Sequence, residues 1–137
     1  MPKSAPVIVI EDNPTDVFLV REALRAQGIA DVLVFEDGEA AIGYVRKLDT
    51  DQSPGCPSLI LLDLNLPCAD GFEVLRNLRT STACGNTPVI IMTSSAALPD
   101  RTKATALGAS AYFQKPTTYD AFLKLGEIAQ HVLNEQP

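Results

Sequence analysis

At 137 residues, with 46% apolar and 20% charged residues, the chain can build one compact core but not comfortably two, and it is too apolar to be disordered. A net charge of −6, from 11 Lys and Arg against 17 Asp and Glu, excludes the basic face that a nucleic-acid binder uses to neutralise phosphates. No apolar run has the length of a membrane span or the layout of a signal peptide, so the sequence reads as a cytoplasmic protein with no membrane segment.

The first apolar run, Val7–Ile10, ends in Glu11 and Asp12. A helix is expected over 14–28, with Val17, Val20 and Leu24 on one side and Gly28 as its C-terminal cap. Asp12 or Asn13 is the candidate N-cap, with Pro14 at the first helical position. A second run, Val32–Phe35, ends in Glu36 and Asp37, which read as solvated turn residues, and a helix follows over 38–48. Residues 49–57, with Asp, Gln, Ser, Gly and two Pro, read as a surface loop. The third run, 59–62, leads into Asp63, and a helix is expected over 71–80. The fourth, 89–92, leads into Thr93 and Ser94, followed by a helix over 99–107 with few large apolar residues. The fifth, 109–113, leads into Gln114, Lys115 and Pro116. A closing helix over 119–133 carries Phe122, Leu125, Ala129 and Val132 at 3-4-3 spacing.

Runs of Val, Ile and Leu that barely alternate mark strands covered on both faces. Their strict alternation with helices implies parallel strands joined by right-handed crossovers. The expected fold is α/β, a flavodoxin-like three-layer sandwich. It has a five-stranded parallel sheet of order 2-1-3-4-5 and five helices in a single domain over 1–137, with its core at about 6–133. In such a sheet, ligands bind outside the carboxyl ends of the strands at the switch point. Glu11 and Asp12, Asp63, Thr93 and Lys115 all fall there. Each alone has an ordinary explanation as a cap, a turn former or a surface residue, but four complementary strand ends around one switch point do not. Close carboxylates repel and call for a cation, and hard oxygen ligands suit Mg²⁺. Asp63 is then a candidate nucleophile toward phosphorus, with Lys115 and Thr93 placed to neutralise the equatorial oxygens.

Cys56, Cys68 and Cys84 are odd in number and far apart, with no C-x-x-C pair. They read as reduced thiols rather than a disulfide framework or a zinc site, with Cys68 notable for lying five residues after Asp63.

With those strand ends and the segments VIVIEDN, LILLDLNLPCADGFEVL, PVIIMTSS and GASAYFQKP, the chain resembles the response-regulator receiver domains of two-component signalling over roughly residues 6–133. The resemblance implies that Asp63 accepts a phosphoryl group as an aspartyl phosphate. It also implies that Asp12 ligates Mg²⁺ directly, that Glu11 reaches it through water, and that Asn65 offers its backbone carbonyl. Thr93 and Tyr112 match the switch pair, and Lys115 matches the phosphate-binding lysine. Such domains typically have a cis Lys-Pro bond, here at Pro116. Gly71, in the Asp-Gly that opens the third helix, is sufficiently explained as a turn glycine. The EDNPTDVFLVREAL opening and the 49–57 loop are similar to the small stand-alone regulators that partner bacterial phytochrome histidine kinases. The implied partner is therefore a sensor kinase. With no output domain expected, the implied output is protein binding, with homodimerisation through helix 4, strand 5 and helix 5, or a phosphoryl sink or relay role. The implied protein is not an enzyme beyond its own phosphoryl transfer and dephosphorylation.

Three rivals share parts of this pattern. A flavodoxin-type electron carrier needs a hydroxyl- and glycine-rich loop after the first strand, where acids stand instead. A haloacid-dehalogenase-type phosphatase needs a second Asp where Asn65 stands. A pseudo-receiver scaffold would lack acceptor-site residues that this chain has.

Overall fold

The computed structural model describes residues 5–51, 55–66, 70–94 and 97–135. Five parallel strands form one sheet of order β2-β1-β3-β4-β5: β1 Val7–Ile10, β2 Val32–Phe35, β3 Leu59–Asp63, β4 Val89–Thr93 and β5 Ala111–Gln114. Between them run α1 Pro14–Arg25, α2 Gly38–Thr50, α3 Gly71–Arg79 and α4 Leu98–Ala106. The expected closing helix runs as α5 Tyr119–Phe122 and α6 Lys124–Asn134. Leu123 between them keeps right-handed helical dihedrals, and the Gly126 N–H tightens the join by donating to the Leu123 carbonyl at 3.0 Å. Counted as one helix, this gives the five expected. Among the described residues no helix is long and apolar enough to cross a membrane.

The central strands β1, β3 and β4 are buried along their whole length because both faces are covered, and successive residues point into different cores. Val7, Val9, Leu59, Leu61, Ile90 and Met92 pack with Val20 and Leu24 of α1 and with Leu125, Ala129 and Val132 of α6. Ile8, Ile10, Ile60, Leu62, Val89 and Ile91 pack with Val45 of α2, Val74, Leu75 and Leu78 of α3, and Ala104 of α4. Ala104 is the one buried residue of α4, so that helix puts a single small apolar side chain into the core. β5 begins two residues later than expected, because the Ala109 N–H closes the turn after α4 on the Ala104 carbonyl at 3.0 Å.

Helix starts follow local chemistry. Asn13, not Asp12, caps α1 by accepting from Asp16 N at 3.1 Å. Asp37, expected only in a solvated turn, caps α2 through Ala40 N at 2.8 Å. Asp70 caps α3 through Phe72 N at 2.8 Å.

Two expectations are corrected here. Cys56 and Cys84 form a disulfide, with Cα atoms 5.5 Å apart. β3 and β4 are hydrogen-bonded neighbours, so the segments entering them meet at one end of the sheet although 28 residues separate the two cysteines. Spacing along the chain carries no sign of that meeting. The Lys115–Pro116 bond is trans, as is every peptide bond among the described residues. Cys68 lies outside the described residues.

Candidate functional site

The parallel sheet brings the carboxyl ends of β1, β3, β4 and β5 to one rim. Glu11 and Asp12 follow β1, Asp63 ends β3, Thr93 ends β4 and Lys115 follows β5. The backbone secures this arrangement, since Lys115 N donates to the Thr93 carbonyl at 2.7 Å and Leu64 N to the Met92 carbonyl at 3.2 Å.

Glu11, Asp63 and Thr93 are buried, whereas Asp12 and Asn65 are exposed. The Lys115 ammonium sits in the middle, 2.6 Å from Glu11 Oε1, 2.8 Å from Asp16 Oδ2 and 3.3 Å from Asp63 Oδ2. Glu11 Oε2 accepts from Asp12 N at 3.1 Å and Asn13 N at 3.2 Å. Asp63 Oδ1 accepts from Asn65 N at 3.1 Å, and Asn65 Nδ2 donates to Thr93 Oγ1 at 3.3 Å. Every strand-end residue singled out in the sequence therefore joins one hydrogen-bonded cluster except Asp12, whose carboxylate lies beside it.

Tyr112 stands apart, half-buried on β5, with the Arg101 guanidinium of α4 stacked 5.1 Å from its ring centre. A cleft of about 470 Å³ opens over the rim, lined by Asp12, Asn65, Thr93, Asp70 and Asp100 among others.

The sequence reading passed over Asp16 and gave Gly71 too small a part. Asp16 reads as an ordinary first-turn acid of a helix, so nothing along the chain points it at Lys115. Gly71 has no positive φ and is not a turn glycine. A Cβ there would lie 2.5 Å from Leu64 Cα and 2.8 Å from the Asp63 carbonyl, so its lack of a side chain lets α3 start against the end of β3.

The electrostatics follow from burial and crowding. Burial raises the Glu11 pKa from 4.5 to about 7; the Lys115 hydrogen bond opposes this, and the neighbouring Asp63 adds to it. Burial alone would lower Lys115, but its hydrogen bonds to Asp16 and Glu11 and the charge of Asp63 outweigh that and raise it. The ammonium stays charged while shared among three carboxylates. Glu11, Asp12 and Asp63 each offer a carboxylate oxygen within 4.8 Å of the others. Three hard oxygen donors with one lysine are a fit for a divalent cation such as Mg²⁺.

Comparison with known proteins agrees with this geometry. The sequence family "Response regulator receiver domain" matches residues 7–125. Response regulator Rcp1 of Synechocystis sp. is 34% identical over 90 residues, 65% of this chain and 61% of that protein, so this chain spans under two thirds of that relative. The Mn²⁺-bound structure of Rcp1 superimposes with a TM-score of 0.83 at 29% identity, covering 97% of both chains. The phosphorylated cyanobacterial phytochrome response regulator RcpA gives a TM-score of 0.86 at 28% identity over 98% of both chains. The bacteriophytochrome response regulator RtBRR gives 0.77 at 33% identity, over 98% of this chain and 81% of that one. With the sheet order, the acidic rim and the lysine in place, the chain belongs to the response regulator receiver domain family.

Proposed function

We propose that the chain is a phosphoacceptor that takes a phosphoryl group on Asp63 from a sensor histidine kinase. The observation that carries this is Asp63 itself. It is buried to 3% exposure at the end of a central strand, with one oxygen facing the Lys115 ammonium and the other held by the Asn65 N–H. In the reaction an Asp63 oxygen forms a bond to phosphorus as the P–N bond of a phosphohistidine breaks, and the imidazole leaves with that electron pair.

Asp12, Glu11 through water, Asp63 and the Asn65 carbonyl would hold Mg²⁺, which supplies charge neutralisation for the transferred group. Lys115 neutralises a further phosphoryl oxygen, and Thr93 turns its hydroxyl toward another. Moving Thr93 inward gives the Tyr112 ring room, and its stack with Arg101 couples the site to α4. The lightly anchored α4 and its 72% exposed Leu98 support an output surface over α4, β5 and the closing helix, used for a homodimer or another protein partner. Likeness to the phytochrome response regulator RcpA and the bacteriophytochrome response regulator RtBRR supports a phytochrome kinase as the donor.

The test is incubation with labelled acetyl phosphate and Mg²⁺, followed by size measurement with beryllofluoride as a phosphoryl mimic. Wild type should take up hydroxylamine-sensitive label and form a larger species with the mimic, while Asp63→Asn should do neither. Label persisting on Asp63→Asn would overturn the assignment.

A further inference from the structure

Lys115 is held from two sides, and one of its partners has no place in the chemistry described so far. Asp16, the third residue of α1, brings Oδ2 to 2.8 Å from the ammonium, closer than Asp63 at 3.3 Å. In a capping box the Glu or Gln at this helical position turns back to accept from the N–H of the capping residue. That N–H, of Asn13, already donates to Glu11 Oε2 at 3.2 Å, so the Asp16 carboxylate is released to reach across to Lys115. The Asp16 backbone separately satisfies the cap through Asn13 Oδ1.

Asp16 also differs from the other two carboxylates around the ammonium. Glu11 and Asp63 belong to the trio whose oxygens could converge on a cation, and Asp16 does not. A cation at that trio would offset the pull of Glu11 and Asp63 on Lys115 and leave that of Asp16 intact. The side chain of Asp16 is 24% exposed and that of Lys115 10%, so the pair is only partly screened by water.

From this geometry we infer that Asp16 is a positioning residue that competes with the phosphoryl group for Lys115 and so sets how tightly the modified state is held. The inference rests on the phosphoacceptor reading of Asp63. An incoming group on Asp63 must draw the ammonium from Asp16 before gaining its full contact, and a neutral residue at position 16 removes that competition.

The test is titration with beryllofluoride at saturating Mg²⁺, followed by NMR chemical shifts, on wild type, Asp16→Asn, Asp16→Glu, Lys115→Met and the double variant Asp16→Asn with Lys115→Met. Asp16→Asn keeps the backbone cap and should bind the mimic about three- to fivefold more tightly, the worth of one partly exposed ion pair. Asp16→Glu should stay near wild type. The gain should vanish in the Lys115→Met background, which separates an effect acting through Lys115 from general removal of negative charge. No gain in Asp16→Asn, or the same gain with Lys115 absent, overturns the role of Asp16 and leaves the phosphoacceptor reading standing. A wild type that does not respond to beryllofluoride overturns both.

Discussion

Glu11 and Asp12 are chain neighbours with opposite situations. Every oxygen of Glu11 is committed, one to the Lys115 ammonium and the other to two backbone N–H groups, and the side chain is fully buried. Asp12 is exposed and lines the cleft. A carboxylate already satisfied by the protein has less to offer a cation than one facing water, which supports Asp12 as the direct ligand and Glu11 as the indirect one. Asp12→Asn should therefore weaken Mg²⁺ binding on the order of tenfold, the factor given by about 1.4 kcal/mol of lost attraction. Glu11→Gln should weaken it less. Calorimetric titration of the two variants checks the order, and a larger loss in Glu11→Gln would mean that the roles are exchanged. That these residues share a site was legible from the strand ends, because a parallel sheet places its carboxyl termini on one side. That Asn13 takes the cap and leaves Asp12 to the cleft was not, since both residue types cap helices equally well.

At the scale of elements, the contact between α1 and α6 is set by an absent side chain. A Cβ on Gly126 would run into the Ala23 carbonyl, so the two helices lie closer than any other residue at position 126 would allow. Gly126→Ala should cost about 2–3 kcal/mol, because backbone rather than a flexible side chain has to yield. Gly43, on the exposed face of α2 with open space around it, provides the contrast. There Gly43→Ala should stabilise by about 1 kcal/mol through helix propensity alone. Urea unfolding of both variants checks the signs, and a neutral Gly126→Ala would show that the helix pair can spread at little cost.

The sequence made the central strands plain because burial on both faces leaves β1, and β3 and β4 up to their last residues, without a polar side chain to confuse the period. It made the closing helix plain through the spacing of Phe122, Leu125, Ala129 and Val132. Close approaches such as Gly126 on Ala23 and Gly71 on Leu64 depend on distances between elements, which no local pattern encodes.

For the whole molecule, the Cys56–Cys84 bridge is the longest-range covalent constraint among the described residues, and it closes a loop of 28 residues. By chain entropy, a cross-link of that span stabilises by about 3–4 kcal/mol. Reduction by a dithiol should lower the unfolding free energy by about that amount, measured by urea unfolding with and without reductant. Mg²⁺ affinity should be unchanged, because the acidic rim lies at the other end of the same strands. A stability indifferent to reductant would mean that the reduced chain already holds these segments together. Cys56 precedes β3 by three residues and Cys84 precedes β4 by five, whereas Asp63 and Thr93 are the last residues of those strands. The central strand pair is thus clamped at its root and open at its tip, like the prongs of a tuning fork. At the tip the strands carrying Asp63 and Thr93 are joined by hydrogen bonds rather than by a covalent tie, so oxidation fixes their spacing at the end away from the acidic rim.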